Sequence, residues 1–222
     1  RNAGLTLAQG DYIQFADSDD ALDPDYTQNL VQAALQHSAD LVIAPYWMVI
    51  PSNSSKTGHA LETLQESLGI EPESPKTEVH KYGFLPQGVY SREDYARRLM
   101  QQPASFYYGV LWNKIFRGDI IRQHDLRFTS GLHWGEDFVF VMQYLEHAER
   151  MSYITTPVYD YFRNPNGAVV RQLVNCFRHP IVSIQARLTV YRSYEQLYRA
   201  RGLYDQYKRI LWRYLFRFTL RN

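Results

Sequence analysis

A single cysteine, Cys176, stands among 222 residues. One thiol excludes an internal disulfide framework and any multi-cysteine zinc site, and it fits a reducing compartment. Runs of about 18 apolar residues are missing, which argues against a transmembrane helix, and no segment reads as a signal peptide. Internal repeats and low-complexity tracts are absent too. Net charge is nearly lacking: 24 Lys/Arg stand against 23 Asp/Glu, a formal +1. That balance hides an asymmetry. Residues 171–222 carry 11 Lys/Arg and 2 Asp/Glu, a net +9, while residues 1–170 carry 13 and 21, a net −8. An acidic body with a basic tail directs the tail toward an anionic partner such as a membrane surface.

Aromatic residues are abundant, with 18 Tyr, 11 Phe and 4 Trp. Flat apolar faces with polar edges suit carbohydrate and interface surfaces, and they serve a Tyr-rich core equally well. Hydrophobic and charged fractions of 45% and 21% are those of a globular protein. The length suits one domain, or a domain with an appendage.

Local patterning predicts alternating strands and helices. "DYIQFAD" is short, apolar and bounded, the pattern of a buried strand feeding a site. A helix follows, with Asp23 as its cap and Pro24 in its first turn; Leu30, Ala33, Ala34 and His37 recur at helical spacing. "ADLVIAPYWMVI" reads as one strand. Residues 51–86 are rich in Ser, Gly, Pro, Glu and Lys and read as a long loop or insertion. "SRED" starts a helix with Ser91 as cap. Helix, strand and helix are expected through "LWNKIF", "GDIIRQH" and "GEDFVFVMQYLEHAE", with Phe138, Met142 and Leu145 on one face of the last. "MSYITTPVYDYFR" is β-rich. From Cys176 onward the pattern is helical, broken near Gly202. Such alternation argues for an α/β fold with a mixed sheet, whose ligands lie beyond the carboxyl ends of strands.

That position is occupied by "DSDD". Asp17 and Asp19 are spaced i, i+2 and can converge on one cation. Hard carboxylate oxygens suit Mg²⁺ or Mn²⁺, which take further ligands from water and substrate phosphates. A calcium EF-hand is excluded, because Leu22 and Gln28 stand where its glycine and its final acid belong. The bland alternative is that these acids cap the following helix and favour its positive end. Taken alone, D-x-D does not decide between them.

The surroundings do. "RNAGLTLAQGDYIQFADSDDALDPDY" resembles the central signature of family 2 glycosyltransferases, in which an R-N-x-G helix end leads to D-S-D-D at a strand terminus. The likeness continues in order through "LWNKIFRGDII", "GLHWGEDFVF" and "YDYFRNPNGAVV", four blocks over about 170 positions. The resemblance implies a GT-A fold in residues 1–170, with residues 171–222 as a basic, aromatic-rich helical tail. It implies that Asp17 and Asp19 contact the metal and that Asp17, Asp19, Asp20, Lys114 and Arg163 surround the diphosphate of a nucleotide-sugar donor. Glu136 and Asp137 match the family's E-D pair, with Asp137 as the general base. Trp112, Asn113 and Trp134 are expected near the donor or acceptor; singly, each tryptophan reads as a packing residue, and His133 stays unassigned. Arg163 could equally pair with a surface acid.

The residue types fit the chemistry. Sugar transfer passes through an oxocarbenium-like transition state, a divalent cation stabilises the leaving diphosphate, and a carboxylate opposite takes the acceptor proton. One displacement with one base inverts the anomeric centre. The family's members carry further strand-helix units upstream of R-N-x-G, so the sequence is expected to be a fragment lacking on the order of 60–90 residues at roughly 30 per unit, and to bind donor weakly by itself. The expected partners are a nucleotide-sugar, probed first as a UDP-sugar, a carbohydrate or lipid-linked acceptor, and an anionic membrane. The expected place is the cytoplasm or the inner face of its membrane, in bacterial surface polysaccharide synthesis. Nucleic acid is not expected. Two rivals are another metal- and phosphate-using enzyme, such as a nucleotidyltransferase or phosphohydrolase, and a non-catalytic carbohydrate-binding fragment.

Overall fold

The computed structural model describes residues 1–50, 77–102, 105–132, 134–157, 159–163 and 180–220. Within them α1 (Asn2–Leu7), β1 (Tyr12–Gln14), β2 (Ala21–Leu22), α2 (Tyr26–His37), β3 (Leu41–Ile43) and β4 (Tyr46–Ile50) come first. β5 (Glu78–Tyr82), β6 (Gly88–Ser91), α3 (Arg92–Leu99), α4 (Phe106–Gly109), β7 (Lys114–Arg117) and α5 (Gly118–Gln123) follow. The chain continues through α6 (Glu136–Leu145), β8 (Arg150–Tyr153), β9 (Tyr159–Phe162), α7 (Pro180–Ala200) and α8 (Tyr204–Leu220).

Two mixed sheets result. One runs β1-β7-β3-β8-β6 and is antiparallel except at β3–β8; the other runs β2-β9-β4-β5 and is antiparallel except at β9–β4. The single strand expected from "ADLVIAPYWMVI" is two strands, one in each sheet. Pro45 has no amide proton for a ladder, so the chain leaves the first sheet at Ala44, whose N–H still bonds Asn113 O at 3.0 Å, and enters the second at Tyr46. A mixed α/β fold was expected, and it is found.

Two expected elements are exchanged. "LWNKIF" contributes a strand, β7, and "GDIIRQ" a helix, α5. β7 lies between β1 and β3 with Ile115 and Phe116 both buried, and a strand covered on both faces shows no period-2 alternation. α5 gains an acid in its first turn: Asp119 accepts the Ile120 N–H at 2.8 Å, where a carboxylate favours the helix dipole. The α2 cap is also corrected. Asp25 is the N-cap, while Asp23 builds the turn before it, its side chain accepting Asp25 N–H at 2.9 Å. Part of the expected loop 51–86 is strand β5, paired to β4 over its full length; residues 51–76 lie outside the described residues.

Other expectations hold. Ser91 Oγ accepts the Asp94 N–H at 3.2 Å as the cap of α3. α7 and α8 are separated at Gly202, whose φ of 66° costs glycine little. α7 packs on α6, and Arg201 donates to the carbonyls of Leu145 and Glu146 at 2.7 Å each. Cys176 lies outside the described residues.

Candidate functional site: an acidic turn facing an acidic helix start

β1 is short because its next residue is spent on packing. Phe15 sets its ring edge-on against Phe116, Phe128 and Phe140 at 5.7, 5.7 and 5.8 Å. Beyond that anchor the chain turns, with Asp20 N–H on Asp17 O at 3.4 Å, and the acids leave the core. β9 holds the turn in place. Tyr159 donates its hydroxyl to Asp20 Oδ2 at 2.8 Å and accepts the Asp17 N–H at 3.1 Å, while Phe162 N–H reaches Asp20 Oδ1 at 3.0 Å. Both Asp20 oxygens therefore already carry donors, and Asp20 fastens the turn before anything else. Burial raises its pKa, the two bonds from β9 opposing.

Asp17 and Asp19 remain as the outward pair. Burial raises Asp17 above the ordinary aspartate range; Arg1 opposes this, and the charges of Asp19 and Glu136 add to it. Asp19 is exposed. Two mutually repelling carboxylates, one partly desolvated, fit a Mg²⁺ or Mn²⁺ ion that completes its shell with phosphate oxygens and water. Among the described residues no group of three metal-ligating side chains converges.

The second wall is α6. Gly135, at φ 81°, turns the chain so that Glu136 and Asp137 occupy the first helical turn, where carboxylates are favoured. Asp137 is pushed up to about 7, chiefly by burial, with Glu136 and Asp17 adding and Arg1 opposing. Arg1 joins the two walls. Its guanidinium bonds Asp137, lies 3.3 Å from Glu136 and reaches Asp17 at 3.7 Å. Beside it, Asn2 locks α1 to Phe128, donating to the carbonyl at 2.9 Å and accepting the N–H at 2.8 Å. Arg1 and Asn2 were legible as part of the R-N-x-G block, but Arg1's place in the site was not.

The "WNK" block lies buried. Lys114 is fully buried, its ammonium donating to Tyr107 O at 3.1 Å, Asn113 Oδ1 at 2.7 Å and Val110 O. Burial pushes it well below the ordinary lysine range, with Asp137 opposing. With all three protons engaged it does not reach out to a diphosphate. Asn113, also fully buried, donates to Ala44 O at 3.3 Å and Tyr107 O at 3.1 Å. Trp112 is 3% exposed, stacked on Tyr159 at 4.4 Å and on Tyr161 at 5.4 Å, and its carbonyl accepts the Tyr26 hydroxyl. These three residues are packed into the framework beneath the acidic turn.

Arg163 is exposed, with its N–H on Val49 O at 2.9 Å. Its charge and those of Asp20, Asp19 and Asp17 all act on the Tyr161 hydroxyl, so Arg163 and the acidic turn share one neighbourhood. Trp134 is half-buried against the core. His133 lies outside the described residues.

Residues 1–98 match the sequence profile described as Glycosyl transferase family 2. The putative glycosyltransferase EpsH of Bacillus subtilis (strain 168) is 28% identical over 164 residues, 72% of this chain and 40% of its own length. The cholesterol galactosyltransferase of Borreliella burgdorferi is 26% identical over 163 residues, 73% of this chain and 40% of its own length. This chain thus spans about two fifths of the curated relatives it matches. Among solved structures, S. aureus TarS 1-349 in complex with UDP superposes with a TM-score of 0.51 at 15% identity, over 87% of this chain and 43% of that one. The same protein with UDP-GlcNAc gives 0.51 at 13%, over 90% and 51%. The fold is accordingly GT-A-like. The first 98 residues of this chain thus resemble glycosyl transferase family 2.

Proposed function

We propose that the protein to which this chain belongs transfers a sugar from a nucleotide-diphosphate-sugar to an acceptor hydroxyl, with inversion at the anomeric carbon. The observation that carries this reading is Asp137. It is a carboxylate raised to about 7 by burial, close to neutrality as a general base requires, and linked through Arg1 to the Asp17 turn. In the reaction the acceptor oxygen forms its bond to the anomeric carbon as the bond to the diphosphate oxygen breaks, and the acceptor proton passes to Asp137. Asp17 and Asp19 would hold Mg²⁺ or Mn²⁺, which when bound stabilises the departing diphosphate as a Lewis acid. Asp20 keeps the turn in shape, and Arg163 adds positive charge beside it. Glu136 holds Arg1 alongside the base.

A UDP-sugar is the donor we favour, in keeping with the solved relatives crystallised with UDP and UDP-GlcNAc. Surface polysaccharide is the favoured product. The S. aureus relative named poly(ribitol-phosphate) β-N-acetylglucosaminyltransferase, 22% identical, supports a cell-envelope role. The reading includes work at the inner face of the cytoplasmic membrane, with Arg209, Trp212 and Arg213 exposed on α8 as the contact with anionic lipid. No described helix is long and apolar enough to cross a membrane.

Calorimetry of UDP with and without Mn²⁺ tests the core of this reading. Binding that needs Mn²⁺ and is lost in Asp19→Ala is the expected result. UDP binding indifferent to both would overturn the metal and donor assignment.

A further inference from the structure

The tryptophans expected to face a ligand are not the aromatic groups that the fold presents. Trp112 is 3% exposed, whereas Phe106, the first residue of α4, is 38% exposed. Its exposure is not for want of a core, since Tyr107 and Tyr108, the next two residues, are both buried.

Phe106 touches one wall of the site, and its helix touches the other. On one side its ring tilts against Tyr161 at 5.4 Å and 50°, with Trp112 behind at 6.0 Å. Tyr161 feels the charges of Asp20, Asp19 and Asp17, and the next residue, Phe162, holds Asp20 by its N–H. On the other side α4 ends at Gly109, where an added Cβ would fall 2.2 Å from the Phe138 ring. A bare backbone is needed there so that Phe138, the neighbour of Asp137, can press against α4. A four-residue helix packed on α6 thus carries one exposed phenyl ring beside the wall that holds the acidic turn.

We propose that Phe106, flanked by Tyr161, is the platform on which a pyranose ring of the acceptor lies. The proposal rests on the glycosyl-transfer reading above and names the acceptor's subsite within it. A pyranose offers a C–H face, which an aromatic face takes up as apolar surface, and hydroxyls on its edges, which ionised carboxylates accept. A bare alkyl chain would gain from the rings and lose beside the acids, because desolvating carboxylates without new partners is costly. A diphosphate would gain nothing from a phenyl face and be repelled by unneutralised acids.

The experiment uses the chain with Mn²⁺ and UDP, and two readouts on the same preparation. Calorimetry follows UDP. Saturation-transfer NMR follows methyl β-glucopyranoside, methyl β-galactopyranoside and methyl N-acetyl-β-glucosaminide. At least one glycoside should bind; Phe106→Ala should weaken it about tenfold, the scale of one lost aromatic contact, and Phe106→Trp should restore it. UDP affinity and the melting temperature should stay as in the parent chain. If UDP binds with Mn²⁺ but no glycoside does, or if Phe106→Ala leaves glycoside binding intact, the platform is wrong while the transfer reading stands. If Phe106→Ala weakens UDP-GlcNAc relative to UDP and spares the glycosides, the ring serves the donor and the proposal is overturned. Failure of UDP to bind even at millimolar concentration, where a weak donor site would still fill, overturns the transfer reading and the platform with it.

Discussion

Trp112 and Tyr159 lie face to face, ring centroids 4.4 Å apart and planes within 10°, and the hydroxyl of that same tyrosine holds both Asp17 and Asp20. The stack connects the buried W-N-K block to the acidic turn. Trp112 therefore influences the site through the Tyr159 ring, by helping to set where its hydroxyl sits.

Tyr159→Phe isolates that link. The stack survives, Asp17 N–H loses its acceptor, and Asp20 keeps only the Phe162 N–H. Hydrogen bonds of this kind are worth about 1–3 kcal/mol when a charged partner is left short, so Mn²⁺-dependent UDP affinity should fall by roughly tenfold, with a smaller proportional loss of stability. Calorimetry and thermal melting on one preparation separate the two. A melting temperature that collapses with UDP affinity unchanged would contradict this role for the hydroxyl.

Transfer should depend on pH through Asp137. With its pKa raised to about 7, activity should rise with pH across that value and level off above it. Asp137→Asn should lose roughly 10²–10⁴-fold, as for removal of a general base, together with the titration. Arg1 opposes the upward shift, so Arg1→Ala should move the midpoint to higher pH. Stability runs the other way. Unfolded aspartate ionises above about 4, while the folded side chain keeps its proton to about 7; the folded state binds the extra proton between these values, and this group's contribution to stability falls as pH rises through the window. Urea denaturation at pH 5 and pH 8 should show that slope in the parent chain and a shallower one in Asp137→Asn.

Lys114→Met should act on the fold. It removes the ammonium from Val110 O and Asn113 Oδ1 and leaves Tyr107 O with only the Asn113 amide as donor, and unsatisfied buried acceptors cost about 1–3 kcal/mol each. A large drop in melting temperature is expected. A stable variant that has lost only UDP binding would instead place the ammonium on the diphosphate.

Particular residues show how far the sequence could be read. The acids of the D-S-D-D turn and the E-D helix start were legible, because charge crowded at the ends of apolar segments has few uses. The bridge from Arg1 to Asp137 was not, because residues 136 positions apart in sequence are paired only by the fold. Lys114 looked like an outward cation since its type is usually exposed; only the neighbouring carbonyls reveal it as an internal tie. The exchange of strand and helix at Lys114–Gln123 has a plainer cause. Short apolar runs carry no usable period, and the deciding feature, Asp119 accepting Ile120 N–H, is a local bond rather than a pattern. Phe106 carried no signal at all, because exposure depends on which neighbours the chain brings in.

The abundance of tyrosine has a consequence of its own. Tyr26, Tyr95, Tyr144 and Tyr198 are among the largest fully buried side chains, and burial pushes each hydroxyl above the ordinary phenol range. In the unfolded chain the same phenols ionise near pH 10, so above that value the unfolded state sheds protons that the folded state keeps, and stability falls. Alkali should thus open the molecule cooperatively. The ultraviolet band of tyrosinate would record the event, making the interior its own optical reporter of collapse.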